Sequence, residues 1–403
     1  MKFVGNQYSL ISLSVLLALS GSVNAAGTYM EARNDAMGGT GVASSHYGTA
    51  PLANPALMSS FGKSDDFSLI LPSVGAQVTD PNNMQDGLKQ VKDARQNYAN
   101  ELGTGRVSAA TANEYKSKLI DLNKAKTTGQ VSAGIVTAVP NSVMPFALVI
   151  KSWGTATLEG KVNGRDLQYL DGVANGTLNP TDAGENALTS HMIGRAATIT
   201  DVGIAFAKEF EINGVKSSIG ITPKYQRVDV YNNNMTLKNY TGKYSSAKNY
   251  LSTQSNFNGD IGFATYPTDN WTLGAVAQNI VPRIVQSQKV NSMQETFKVR
   301  TQVTTGVSWH NDFFTAAMDV DLTPASGFAT DEKRQFASVG TELNAWNWAQ
   351  LRVGYRKNMT SDTGSALTAG VGLSPFGVVH LDVAAIKGTD RTYGAVAQLS
   401  FTF

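Results

Sequence analysis

From residue 66 to the end of the chain, apolar and polar residues alternate with a period of two. That period puts successive side chains on opposite faces of a strand. The alternation predicts fourteen strands, at 66–79, 129–139, 144–157, 194–209, 216–232, 252–265, 271–285, 298–309, 313–322, 335–343, 349–357, 366–374, 378–386 and 392–403. In the last run Tyr393, Ala395, Ala397, Leu399, Phe401 and Phe403 make one oily face, and the residues between them are mostly small or polar. The oily face reaches the final residue, although chain ends usually fray. A closed barrel needs a terminal strand ordered in this way, because its last strand pairs with its first.

The connections carry a second pattern. Those at 140–143, 210–215, 266–270, 310–312, 344–348 and 375–377 are short. Those at 80–128, 158–193, 233–251, 286–297, 323–334, 358–365 and 387–391 are mostly longer. The two kinds alternate strictly if 387–391 counts as the shortest of the long ones. Outer-membrane barrels have short periplasmic turns and longer outer loops, whereas a soluble sandwich has no reason to keep that parity. Both termini are then expected on the periplasmic side. Trp271, Trp309, Trp346 and Trp348 flank the short turns and Trp153 falls near the far end of its strand, as two aromatic girdles would require. The long connection 80–128 predicts two helices. Met84, Leu88 and Val91 recur at helical spacing after Asp80-Pro81, and Ala112, Tyr115, Leu119 and Leu122 share one face of a second helix over 109–126. Thr111 and Glu114 fit a capping box for that second helix.

The start of the chain is different. Lys2 precedes an apolar run at 10–19 that is too short to span a bilayer, and Val23-Asn24-Ala25 fits a small-x-small cleavage site. Residues 1–25 therefore read as a secretory signal. No later run approaches twenty apolar residues, so a closed barrel is the only way for the rest of the chain to cross a membrane. Residues 26–65 have little strand periodicity and many small side chains. Gly38, Gly39 and Gly41 cluster there but lack the Gly-Lys-Ser/Thr ending of a phosphate loop. Asn54-Pro55-Ala56 follows as a turn, with one φ fixed by Pro55. A segment this small fits a crowded interior, and a barrel of about fourteen strands has a lumen wide enough to need filling. The expected architecture is all-β: a closed antiparallel transmembrane barrel (66–403), a plug (26–65) and a helical outer loop (80–128).

Composition narrows the chemistry. The 403 residues include no cysteine, which excludes disulfides and thiolate sites. The net charge of +2 gives no reason to expect nucleic acid. The four histidines, His46, His191, His310 and His380, have no metal-pair spacing, and no cofactor is expected. His380 and Asp382 share a face, and a neighbouring serine could complete a triad, but any barrel offers many serines. The lumen charges are more informative. If Val303, Val307 and Trp309 face lipid, then Arg300, Asp319, Asp321, Glu342, Arg352 and Arg356 face inward. On successive strands they line one wall with basic, acidic, acidic and basic groups in turn, and are candidate contacts for the plug.

Several stretches occur together in known families. The glycine cluster followed by Asn54-Pro55-Ala56 resembles the start of the long-chain fatty-acid and aromatic-hydrocarbon outer-membrane transporters, in which that segment plugs the lumen. The aromatic and Leu positions Tyr393, Leu399, Phe401 and Phe403 resemble the assembly signal of bacterial outer-membrane barrels. The segments at 36–43, 54–56, 69–75, 220–225, 273–279, 351–356 and the last strand together resemble the barrel proteins labelled conjugal transfer protein TraF. The resemblance implies a Gram-negative outer-membrane location, contact with membrane lipid and the barrel-assembly machinery, and no enzymatic activity. Its label implies a link to conjugation that the residues do not show. Two functions remain open: a channel for hydrophobic or amphipathic small molecules, and a structural or docking protein at the cell surface. Apolar patches in the lumen would favour the first; a lumen blocked by the plug and ion pairs would favour the second.

Overall fold

The computed structural model describes residues 29–62, 65–237, 250–345, 348–361 and 363–403. The signal and its cleavage site, Lys63 and Trp346 lie outside the described residues. The strands are β1 (Ser68–Thr79), β2 (Lys126–Val139), β3 (Phe146–Lys161), β4 (His191–Ile212), β5 (Val215–Thr236), β6 (Leu251–Thr268), β7 (Trp271–Gln278), β8 (Arg283–Gln286) and β9 (Thr296–Val299), then β10 (Gln302–His310), β11 (Phe314–Asp321), β12 (Gly327–Phe328), β13 (Phe336–Ala345), β14 (Ala349–Asn358), β15 (Ala366–Leu373), β16 (Val379–Gly388) and β17 (Thr392–Thr402). Fourteen of them close into one antiparallel barrel, and β12, β9 and β8 form a separate three-stranded sheet. Closure is the β1–β17 ladder, which runs from Thr79 opposite Thr392 to Ser68 opposite Thr402.

Local chemistry explains the turns and the irregularities. Asn213 (φ 51°) and Gly214 (φ 80°) make the two-residue hairpin between β4 and β5, where both central residues need positive φ. The β1 register shifts between Ile70 and Ser73, at Pro72, which has no N–H to donate. The β4–β5 ladder lapses between Gly203 and Phe206, opposite Pro223, for the same reason.

The wall obeys the alternation. Leu351, Val353 and Tyr355 are exposed on the outside of β14, while Arg352 and Arg356, which alternate with them, are buried. Leu367, Val371, Leu373, Leu381, Val383 and Tyr393 continue this outward apolar surface. Such a band suits a bilayer. No helix among the described residues is long and apolar enough to cross a membrane.

Three expectations need correction. The strand expected at 271–285 stops at Gln278, and the one expected at 298–309 starts at Gln302. Asn279 turns the chain off the wall with φ 54°, its N–H held by Asp260 at 2.8 Å. The alternation continues beyond it because β8 and β9 present an apolar face of their own. Trp153 belongs to no girdle; it is buried in an apolar cluster with the small sheet. The second helix of the long loop is capped by Ser108, which accepts from the Thr111 N–H, so the capping box at Thr111 and Glu114 does not form.

The helical insertion comprises α3 (Met84–Gly103) and α4 (Ala109–Leu122), which follow two short helices of the N-terminal segment, α1 (Ala32–Ala36) and α2 (Ala50–Ala53). Met84, Val91, Ala94 and Tyr98 of α3 pack on Ala112, Tyr115, Leu119 and Leu122 of α4. A further helix, α5 (Gly164–Ala174), joins them through Leu170 and Val173, and the layer rests on Leu158 and Met192 of β3 and β4.

Candidate functional site: the plugged lumen and its lid

Residues 29–62 sit against lumen-facing side chains from most of the barrel. Each contact follows from a short, local fold. Glu31 caps α1 by accepting from the Arg33 and Asn34 N–H groups. That cap aims Arg33 at the wall, where its guanidinium makes a two-pronged pair with Glu342, both bonds at 2.9 Å. Arg352 donates to the same carboxylate at 2.6 Å and pairs on its other side with Asp382. From α1, Asp35 accepts from Arg356 at 3.2 Å, and Arg356 also reaches Gln77 at 2.6 Å.

The glycine cluster works through its backbone. Gly38 (φ 79°) and Gly39 (φ 93°) turn the chain beneath α1. The N–H groups of Gly41 and Val42 both donate to Asp319, at 2.7 and 2.9 Å. A carboxylate receiving two backbone donors is a strong anchor. Asn54 is a clamp: its amide donates to the carbonyls of Val42 (2.8 Å) and Phe263 (3.0 Å), and its oxygen accepts from Ala56. Pro55 then opens a 3-10 helix, Pro55–Ser59, and the Ala56 carbonyl accepts from Ser218 at 2.9 Å.

The wall's own glycines were missed by reasoning on the lumen charges alone. A β-carbon at Gly340 or Gly354 would collide with the backbone of Met37 and Gly38, and one at Gly262 with Asn54. Gly340 and Gly354 are register partners, so the plug's backbone lies flat on a bare patch of wall. The signal was legible as glycine at inward positions of the alternation.

The six lumen charges therefore divide. Asp319, Glu342 and Arg356 hold the plug directly, and Arg352 orients Glu342. Asp321 instead accepts from Gln302, Thr304 and the Phe336 N–H, on the neighbouring barrel strands β10 and β13. Arg300 lies beyond the barrel strands at the small sheet, where it donates to the Ala325 carbonyl at 2.6 Å. Asp382 belongs to Arg352, and His380 faces Thr402, so the two do not form a triad. No group of described residues could hold a metal.

At the end opposite the short turns, β8, β9 and β12 form a small separate sheet packed on the inner wall, termed the lid. Val285, Phe297, Val299 and Phe328 of the lid pack on Trp153, Ala197, Ile199, Val228 and Val230 of β3, β4 and β5. Phe297 stands edge-on to Phe328 with centroids 5.2 Å apart and tilts towards Trp153 at 6.5 Å. Arg195 pins the lid at both ends, reaching Glu295 (3.7 Å) and Asp331 (2.8 Å) while also pairing with Glu159 of the wall. Lys126 adds a second contact to Asp331. Between lid and plug lies a cavity of about 140 Å³, touched by Trp153, Lys151, Tyr29 and Asp319. Below the plug, at the turn end, a polar vestibule of about 680 Å³ is lined by Arg33, His46, His310 and Glu342.

Residues 51–321 match the family model described as the F plasmid transfer operon TraF protein. No curated protein matches the chain by sequence. Among solved structures the chain is similar to the Ralstonia pickettii toluene transporter TbuX, with 12% identity, TM-score 0.54, and coverage of 94% of this chain and 99% of that one. It is similar to the P. putida toluene transporter TodX, with 13% identity, TM-score 0.51, and the same coverage. A TodX deltaS2S3 mutant, described as a monoaromatic hydrocarbon channel, gives 13% identity and TM-score 0.55 over 93% of this chain and 99% of that one. At these identities the likeness is one of fold.

Proposed function

We propose a function for this chain from the premise that it belongs to the F plasmid transfer operon TraF protein family. It is a passive outer-membrane channel for small hydrophobic or amphipathic molecules, delivered to the membrane by its cleaved signal, with lid outward and turns towards the periplasm. One observation carries the reading. Trp153, Ala197, Ile199, Val228 and Val230 make an apolar patch on the inner wall, at the mouth and directly above the plug. A pore for polar solutes has a polar lumen; an apolar patch beneath a lid suits a ligand that leaves water readily. The names of the structurally similar toluene transporters support the same reading. The test is uptake of the hydrophobic dye N-phenyl-1-naphthylamine by intact cells. Cells making the protein should take it up faster than cells without it, and a Trp153→Asp variant should lose the gain. Equal uptake by all three would overturn the channel reading.

A second reading has its own observation. The buried pairs of Arg33 with Glu342 and Arg356 with Asp35 keep the lumen plugged, which suits a structural or docking protein in conjugation or surface assembly. Normal dye uptake together with a transfer defect on removing the α3–α4 hairpin would favour that reading.

A further inference from the structure

We propose that Arg300 and Arg334, at the two roots of the lid, form a binding site for an oxyanion, either a carboxylate or a phosphate. The inference goes beyond the channel reading and does not depend on it. Arg300 follows β9 and Arg334 precedes β13, so both stand where the lid joins the barrel. Between them lies Gly327 of β12. A β-carbon placed on Gly327 would be 3.8 Å from Arg300 Nη1 and 3.8 Å from Arg334 Nη2, with no other atom of the surrounding chain within 4 Å. The two nitrogens thus face one small open space and are separated by at most twice that distance. An oxyanion bridges such a gap by accepting from one guanidinium on each side.

Their partners set these two arginines apart. Arg33, Arg195, Arg352 and Arg356 each meet a carboxylate. The Arg300 guanidinium reaches only the Ala325 carbonyl, and that of Arg334 makes no hydrogen bond or ion pair among the described residues. Nearby acids are already engaged: Asp331 with Arg195 and Lys126, Asp321 with Gln302, Thr304 and Phe336, Glu295 with Arg195 and Thr330, and Glu332 with Thr363. Both arginines are half-buried, so an anion can enter. Burial pulls both guanidiniums below the ordinary arginine range, and at Arg334 the neighbouring Arg300 and Arg356 add to this against Asp331. Two half-buried cations turned towards each other repel, and a bound anion relieves that repulsion while tying together both roots of the lid.

The test uses the full chain purified in detergent, with inorganic phosphate and acetate as probes against chloride at matched ionic strength. Binding is read by calorimetry and by the fluorescence of Trp153, which sits under the lid. Phosphate or acetate should bind saturably, and Arg300→Gln or Arg334→Gln should weaken binding roughly ten-fold or more, the loss of one charge-assisted hydrogen bond. Arg334→Lys should retain part of the affinity. Gly327→Leu, which fills the open space and leaves both charges in place, should also abolish binding. A parallel arm with a short-chain phosphatidic acid separates the sources. Saturation by phosphate alone identifies a free anion as the ligand, and binding only of the lipid form identifies a headgroup. Equal binding by the parent and both Gln variants, or no response to any of the three anions in heat-modifiable, folded protein, would overturn the site.

Discussion

Arg33 of the plug and Glu342 of β13 face each other through two parallel hydrogen bonds of 2.9 Å, across 309 residues of sequence. Both side chains are almost fully buried, and Arg352 and Asp382 extend the pair into a chain of four charges. Removing Arg33 leaves Glu342 with Arg352 as its one guanidinium partner, so the cost is below the about 3–5 kcal/mol of a buried charge left with none. The strands keep their own ladders, so that cost falls on plug docking. Arg33→Ala should therefore raise outer-membrane permeability to large antibiotics such as vancomycin while the barrel still shifts on heating in gels. Unchanged antibiotic sensitivity in an assembled Arg33→Ala barrel would show that this pair does not hold the lumen shut.

The bare patch of wall gives a second prediction. Gly354→Val puts a side chain where Met37 and Gly38 now lie, in a ladder that tolerates valine well. The barrel should assemble and the plug should not seat. Protease cleavage within residues 29–62 in isolated membranes, faster than in the parent, is the readout. The same change at Gly164, at the start of α5 with open space around it and no positive φ, should leave the plug protected.

At the mouth, Arg195 is the latch. Arg195→Ala removes one contact to each of Glu295 and Asp331 and should speed dye entry, with the effect larger than that of Lys126→Ala, which removes only one contact to Asp331. The pH dependence follows from Asp331. Burial alone would raise its carboxyl, but Arg195 and Lys126 outweigh that and hold it below the ordinary range. A depressed native pKa gives stability that is present above about pH 3.9 and lost as the pH falls below it. Dye entry through the parent protein should stay level from pH 8 to 5 and rise only in stronger acid.

How much of this was legible in the sequence can be traced residue by residue. The fourteen barrel strands and the parity of their turns could be read because a lipid-facing wall imposes a period of two on every strand. Asp319, Glu342 and Arg356 could be read as inward for the same reason. The lid could not. Val285, Phe297 and Val299 alternate as barrel residues do, since any sheet with one apolar face carries that pattern, and the departure from the wall rests on the single positive φ of Asn279. Arg300 was misplaced with them. Which charges pair, and that Asp382 goes to Arg352 instead of His380, depends on the curvature of the closed wall, and periodicity carries none of it.

The closing strand provides the last prediction, and its size can be divided between ring and backbone. The Phe403 N–H donates to the Phe67 carbonyl at 2.9 Å, and its carbonyl accepts from Asp66 at 2.6 Å and Phe67 at 3.1 Å. Its ring lies 6.3 Å from that of Phe67, and the residue as a whole is 58% exposed. Deleting Phe403 removes ring and backbone bonds together, at about 0.5–1.5 kcal/mol for each bond. Phe403→Asp keeps the bonds and exchanges an exposed ring for a charge. The strand ends beside the short turns, at the rim of the apolar band, where a lipid-facing charge costs only about 0–1 kcal/mol. Deletion should therefore lower the amount of heat-modifiable barrel more than Phe403→Asp does, and Phe403→Leu should be close to the parent. If Phe403→Asp proved as damaging as deletion, the ring itself would be what assembly reads. Equal levels for all three variants would mean that the ladder from Thr79 to Ser68 closes the barrel without help from the last residue.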